Sequence, residues 1–463
     1  MEILLPCVCL SRKGRATAGF ALLKLSLNLP QRAFSSRIQQ TACARLIIFI
    51  AGNFFTKANY LPILSATFIN MHIHKASMDE IAELLYRHNP WWSGEAKSDL
   101  IERPAYASKL EALEEKRDIV LLAGLRRVGK TTLLRQQILH LLKKEKPEHI
   151  LYAPLDAYGF MGLSIHDIVR EFRRAHQLDM KEKAHLFLDE VASKKDFQVE
   201  LKDFHDNENV KVYASSSSAS LMKEKASYLT GRTRTVEVLP LSFREYLMFR
   251  GKGAAPGQSH LLEAMFDEYM FDGGMPEYVL SRDPNDLNKI IDDIITKDIY
   301  LKHSFDNKTL LRDMFKLLCE RVGKRTTVSR LANILEVSRD TVSRMMSHFE
   351  ETYLFYSIPM CGTLNERLKS PKKTYIGDVG LRNITTGFRD KGAVYENLVF
   401  LALKNSEPCY YAEGGSEIDF KAGGSFVEAK YGKELSDGQA KLIERLGKRH
   451  KIIMADGYKF FYE

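Results

Sequence analysis

An α/β fold built on a parallel sheet is what this sequence predicts, on three observations. Ile119-Val-Leu-Leu-Ala reads as a buried strand that runs into a glycine-bounded loop and then into a helix over residues 133–143. A second apolar stretch, His185-Leu-Phe-Leu-Asp189-Glu190, reads as a strand ending in two acids. Further apolar runs at 149–156 and 210–218 alternate with a helical pattern at 165–176, an order that sets strands side by side with helices on the sheet faces.

The loop carries the chemistry. Gly124, Gly129, Lys130 and Thr131 fit the pattern G-x-x-x-x-G-K-[ST] between a strand and a helix. Glycines let the backbone curl until successive N–H groups point inward, and the helix N-terminus adds partial positive charge, so the loop suits phosphate. The candidate nucleotide-binding residues are therefore Gly124, Leu125, Arg126, Arg127, Val128, Gly129, Lys130, Thr131 and Thr132. Lys130 is expected to reach the β- and γ-phosphates, and the Thr131 hydroxyl to ligate Mg²⁺. Asp189, at the carboxyl end of a buried strand, is placed to hold the same Mg²⁺ through water, with Glu190 polarising the attacking water. The bland alternatives are a glycine-rich turn and an acidic start to an exposed loop. The loop itself does not distinguish adenine from guanine, but no guanine-reading N-K-x-D motif is present.

Length and composition set bounds around this site. At 463 residues the chain is too long for one core. Its 45% hydrophobic and 27% charged content are ordinary globular values. The net charge of +9 is concentrated at the start: residues 1–75 hold nine basic residues and one acid, a surplus of eight that leaves +1 for the rest. Bulk charge therefore gives no argument for nucleic acid. Six cysteines without metal spacing suit a reducing cytosol, so a cytoplasmic location is expected and a disulfide framework is not.

In chain order, residues 1–77 read as an acid-poor leader without a fold. A transit peptide and a membrane-touching apolar run at 46–55 are the alternatives, with Met71 or Met78 as candidate true starts. That run is ten residues long, contains Asn53 and is followed by Lys57 and Asn59, so a spanning helix is poorly supported and no membrane association is expected. Residues 78–250 form the nucleotide module, opening with helices at 79–88 and 106–116. Trp91 and Trp92 between them either stack on a base or pack against the module. Ser215 or Ser216, where the strand at 210–218 runs into a serine cluster, is a candidate sensor of the γ-phosphate, against an ordinary Ser-rich loop. Arg232 is a candidate for stabilising transition-state charge, in cis or from a second copy in a homo-oligomer, against a solvated arginine.

The stretches GLRRVGKTTL, FLDE, the serine strand and LTGRTRTVEVLPLSFREYL together resemble one prokaryotic ATPase family. Tyr269–Val279 and Tyr375–Asn383 resemble it as well, so the likeness spans roughly residues 80–463. Where the family usually shows Thr-Gly before the serine run, this chain has Ala214-Ser215. The resemblance implies an AAA-type P-loop module that binds ATP, joined to a winged helix and a PD-(D/E)xK nuclease-like C-terminal domain. On that division, residues 251–385 are a helical lid and winged helix, and 386–463 the nuclease-like unit.

The residues of those later parts have their own reading. Helical patterns run over 261–269, 287–301 and 310–322. Residues 326–344 then carry a helix-turn-helix signature, with Thr327 and Ser338 as N-caps. Leu331, Ala332, Leu335, Val337, Val342 and Met345 fall inward. Arg339, Thr341, Ser343 and Arg344 fall outward, suited to DNA phosphates and base edges. Glu336 holds the turn position where glycine is common. After a helix at 392–403, strands near 410–412, 417–421 and 425–431 carry Asp419, Glu428 and Lys430 in the spacing D…E-x-K, with Glu396 on the preceding helix. Glu428 and Lys430 share a face because side chains alternate along a strand. Glu396, Asp419 and Glu428 are a candidate second Mg²⁺ site with Lys430 orienting water; a solvated hairpin face gives the same string.

The function expected from all this is a cytosolic Mg²⁺-dependent ATPase whose nucleotide state is coupled to the winged helix and the nuclease-like unit. Two alternatives are an ATP-regulated DNA-binding or DNA-cleaving protein, and a non-enzymatic, nucleotide-gated module for DNA or a protein partner.

Overall fold

The computed structural model describes residues 2–10, 16–24, 78–95, 100–217, 229–252, 259–303, 305, 307–432 and 434–462. The chain divides into two compact units, Met1–His74 and Lys75–Glu463. In the first, strands β1 (Glu2–Leu10) and β2 (Ala16–Lys24) pair antiparallel, whereas the sequence predicts a leader without a fold. The apolar run at 46–55 and Met71 lie outside the described residues.

The second unit opens with α1 (Met78–His88) and α2 (Pro104–Glu111), followed by β3 (Ile119–Ala123) and α3 (Lys130–Leu141). Then come β4 (Ile150–Pro154), α4 (Ile165–His176), β5 (Ala184–Asp189), α5 (Phe197–Asn207), β6 (Val210–Ser216) and β7 (Thr233–Glu237). These five strands form one parallel sheet in the order β4-β5-β6-β3-β7. Alternate residues of β3 enter different cores: Val120 and Leu122 pack with Ile138, Phe187 and Tyr213, while Ile119 and Leu121 pack with Phe172, Leu186 and Leu188. Both faces are covered at β3, β4 and β5, which is why those strands read as apolar runs, whereas edge strand β7 (Thr-Arg-Thr-Val-Glu) is largely exposed.

Trp91 and Trp92 both donate to the Ile150 carbonyl, and Trp92 lies against Phe172 and His176. They pack on the module, so the packing alternative holds and base stacking does not.

Beyond the sheet run α6 (Phe243–Phe249), α7 (Ser259–Asp272), α8 (Pro276–Ser281) and α9 (Pro284–Asp293). The helix expected over 287–301 changes character at Ile294 and continues as a wider π-helical segment, Ile294–Tyr300. After α10 (Lys308–Glu320) come α11 (Val328–Leu335) and α12 (Arg339–Glu351), capped as expected: Arg330 N donates to Thr327 Oγ1 and Thr341 N to Ser338 Oγ. Glu336 takes the left-handed conformation (φ 55°) that favours glycine there. Leu331, Ala332, Val342 and Met345 are buried; Leu335 and Val337 are half-buried against the same core. Strands β8 (Arg325–Thr326), β9 (Phe355–Ile358) and β10 (Lys372–Ile376) flank the pair as an antiparallel sheet in the order β8-β10-β9.

The stretches 269–279 and 375–383 meet in space. Asp378 accepts from Gly274 N (2.6 Å), Gly380 N (2.9 Å) and Leu381 N (3.2 Å), and Asn383 Nδ2 donates to the Met270 and Phe271 carbonyls. They clamp the helical region to α13 (Val379–Thr386), which follows β10.

The chain closes with α14 (Lys391–Leu403), β11 (Cys409–Glu413), β12 (Ser416–Ala422), β13 (Ser425–Lys430), α15 (Asp437–Gly447) and β14 (Ile452–Asp456). Their sheet runs β11-β12-β13-β14, antiparallel except for the last pair. One expectation is corrected here: Cys361 and Cys409 form a disulfide. A bridge between Met360 and Tyr410 brings the two cysteines together across 48 residues, which spacing in the chain does not reveal. Among the described residues no helix is long and apolar enough to cross a membrane.

Candidate nucleotide site

The site is built at the carboxyl end of the parallel strands. The chain leaves β3 at Gly124, where an added Cβ would meet Val238 O at 2.3 Å, so only glycine lets the loop start against that backbone. Arg127 (φ 63°) and Gly129 (φ 98°) give the loop its left-handed turns before α3 begins. Lys130 is buried, and its Nζ donates to Gly124 O and Leu125 O, both at 3.0 Å. The ammonium thus lies inside the curl of its own loop. Burial lowers its pKa, against the opposing pull of Glu190 and Asp189.

Asp189 is the hub. Thr131 Oγ1 donates to its Oδ2 at 2.7 Å, Tyr152 OH to the same oxygen at 3.0 Å, and Ser215 Oγ to its Oδ1. Strand order explains the meeting: β6 lies between β3 and β5, so Ser215 is a lateral neighbour of both the loop strand and the acidic strand. Glu190 follows in the left-handed conformation (φ 52°), its N–H donating to Ser215 Oγ at 2.9 Å. Ser217 donates to Glu190 Oε2 from both its backbone N and its hydroxyl. Ser218 lies outside the described residues.

A cavity of about 540 Å³ opens over these groups. One wall is the loop from Arg126 to Thr132 with Asp189 and Glu190; the other is apolar, from Leu100, Ile101, Phe249, Pro276 and Leu280. Sequence reasoning missed this second wall, because its members come from segments far apart in the chain. It also missed what the loop arginines do. Arg126 makes a bidentate pair with Asp298 (2.8 and 2.5 Å), and Arg127 pairs with Glu277 (2.7 Å) and Asp293 (3.3 Å). Each acid belongs to α8, α9 or the π-helical segment, so the loop is fastened to the helical region.

Residues 116–247 match the family model for an AAA domain. This part of the chain is an AAA-type P-loop module. Residues 263–392 match a model described as a domain of unknown function (DUF8612). An uncharacterized protein of Haemophilus influenzae is 27% identical over 319 residues, covering 66% of this chain and 78% of that protein. One from Methanocaldococcus jannaschii is 25% identical over 392 residues, 74% of this chain and 82% of the other. Among solved structures, an Aeropyrum pernix ORC1 protein in complex with DNA covers 65% of this chain and 93% of its own at 14% identity. Its TM-score is 0.31.

Within the AAA module one expected residue is displaced. Arg232 immediately precedes β7, at the amino end of the strands, with its carbonyl accepting from Ile119 N and its guanidinium paired to Asp206. The phosphate loop lies at the other end of the sheet, so the expected role for Arg232 in cis is overturned.

The C-terminal acids do converge. Asp419 N donates to Glu428 Oε2 (3.2 Å), and Lys430 lies 3.1 Å from Glu428 Oε1. Glu396 joins them through a residue that the sequence did not single out: Lys373, from β10, is buried and lies 2.8 Å from Glu396, 2.5 Å from Glu417 and 3.1 Å from Asp419. Burial pushes the pKa values of Glu396 and Glu428 up to about 7. On α12, Arg339, Ser343 and Arg344 are exposed and Thr341 is half-buried.

Proposed function

We propose that the protein is a Mg²⁺-dependent ATPase whose nucleotide state is passed to the helix-turn-helix region, read as a winged helix, and to the C-terminal unit. The observation that carries this reading is the joined set Thr131–Asp189–Ser215–Glu190 at the mouth of the loop. Thr131 and Asp189 present two oxygens 2.7 Å apart, the hard donors Mg²⁺ takes, and they would hold it. When bound, that ion neutralises charge developing on the phosphates. Lys130 would exchange its loop carbonyls for phosphate oxygens. Glu190, oriented by Ser215 and Ser217, would take the proton of the attacking water. The apolar wall suits a purine ring, and adenine follows the family resemblance. Lys130→Ala should abolish ATP binding, and Glu190→Gln should bind ATP yet turn over at least about 100-fold more slowly. Wild-type hydrolysis by Glu190→Gln would falsify the catalytic assignment.

Exposed Arg339 and Arg344 on α12 favour one second reading, ATP-regulated DNA binding. It requires salt-sensitive DNA binding that differs between the ADP and ATP states and weakens in Arg344→Ala. DNA cleavage at Glu396, Asp419 and Glu428 receives less support, because an ammonium already stands among the acids.

A further inference from the structure

We propose that His303, His348 and Glu351 form a site for one divalent transition-metal ion of the zinc class, fastening α12 to the turn that follows the π-helical segment. His348 and Glu351 stand three residues apart on α12 and so share a face of that helix. His303 comes from the turn after Tyr300, held by its N–H donating to Ile299 O at 3.0 Å. His348 Nδ1 is 2.9 Å and His303 Nε2 3.8 Å from Glu351 Oε2, and one donor atom from each residue lies within 4.8 Å of the others. Tetrahedral zinc with bonds of about 2.1 Å spaces its ligands by about 3.4 Å. The two separations to Glu351 bracket that value, and the imidazoles must turn out of their stack for both nitrogens to face one ion. The imidazoles are stacked with centroids 3.7 Å apart, and Phe305 packs edge-on against His348, which holds the rings together.

The donor set selects the metal. Two imidazole nitrogens and one carboxylate suit Zn²⁺ or Co²⁺, whereas Mg²⁺ and Ca²⁺ take oxygen ligands. None of the three residues belongs to the Thr131–Asp189 pair, so this site is separate from the ion expected with ATP. Three protein ligands would leave a fourth position for water, and His303 and Glu351 line a cavity of about 210 Å³ together with Asp298, Arg126 and Glu190. A metal here would therefore tie the second helix of the helix-turn-helix to the segment whose Asp298 grips the phosphate loop.

The test is titration of the dialysed full-length protein with Co²⁺ in excess Mg²⁺ and without nucleotide, followed by visible absorption, with metal content measured by mass spectrometry. One Co²⁺ per chain, displaced by Zn²⁺, is expected. His303→Ala and the near-isosteric Glu351→Gln should each weaken binding by more than about 100-fold, beyond the roughly 10–100-fold that loss of an outer partner of a metal ligand costs. Circular dichroism of both variants should match wild type. Absence of stoichiometric Co²⁺ overturns the proposal. So does binding that survives in His303→Ala and Glu351→Gln, or that is lost only in Asp419→Asn, which puts the ion in the C-terminal cluster. Neither readout involves ATP turnover, so this proposal stands or falls apart from the ATPase reading.

Discussion

The ammonium of Lys373 lies 2.8 Å from Glu396 Oε1, in the midst of the acids that sequence spacing marks as a metal cage. Burial works to lower the pKa of this lysine, but Glu396, Asp419 and Glu417 hold it above its usual value, so the charge is retained. A lysine of β10 thus performs the charge balance that a divalent cation would otherwise supply, and locks the strand next to the helix-turn-helix onto the C-terminal unit. Lys373→Met would leave buried carboxylates without a counter-charge and should cost about 3–5 kcal/mol. Mn²⁺ should restore part of that loss. Denaturant midpoints with and without Mn²⁺ check both claims; a variant as stable as wild type and indifferent to Mn²⁺ would show that the lysine is not balancing the cluster.

Ser215 acts through Asp189 and Glu190, donating to one and accepting from the backbone of the other while fully buried. Ser215→Ala removes both hydrogen bonds and leaves the Glu190 N–H without that acceptor, a loss of about 1–3 kcal/mol. ATP affinity should change little, since Lys130 and Thr131 are untouched, while turnover falls about tenfold or more as Glu190 loses its orientation. A variant that loses affinity and keeps its turnover number would instead make Ser215 part of the binding surface.

The loop at Gly124–Thr132 and the acids at Asp189 and Glu190 were legible because each needs particular residue types beside a strand or a helix. The caps at Thr327 and Ser338 were legible for the same local reason. Lys373 was not: nothing near it in sequence marks it, and its partners lie 23, 44 and 46 residues away. Asp298, Glu277 and Asp293 escaped because an acid on a helix reads as solvated until a loop arginine is folded against it. Arg232 failed in the opposite way, since proximity to the serine strand in sequence said nothing about which end of the sheet it occupies.

Asp378 supplies a pH signature. Burial raises its pKa to about 6, above the usual 3.8, although three backbone N–H groups pull the other way. A carboxyl raised on folding contributes stability that is fully present below its unfolded pKa and is lost as pH rises through the folded one. Wild type should therefore lose stability from this group between about pH 4 and pH 6. Asp378→Asn lacks that dependence, so its penalty should be larger at pH 4.5 than at pH 7.5. Urea midpoints of both proteins at the two values test the sign; a penalty that grows toward neutrality would mean the hydrogen bonds to Gly274, Gly380 and Leu381 outweigh burial.

The pair Arg126–Asp298 connects the phosphate loop to the helical region, and both side chains are largely covered. A bidentate guanidinium–carboxylate pair in such a setting should show a coupling energy of about 1–3 kcal/mol in a double-mutant cycle on Arg126→Ala and Asp298→Ala. If this contact carries the nucleotide state, ATP should change amide exchange over residues 328–351 in wild type. Either single variant should abolish that change while still binding ATP, because Lys130 and Thr131 remain in place. Asp298 lies in the π-helical segment five residues before His303, whose ring stacks on His348 of α12. Additive single variants, or an ATP-dependent exchange response that survives in Asp298→Ala, would mean the signal leaves the loop by another route, with Arg127 and its partners Glu277 and Asp293 the next place to cut.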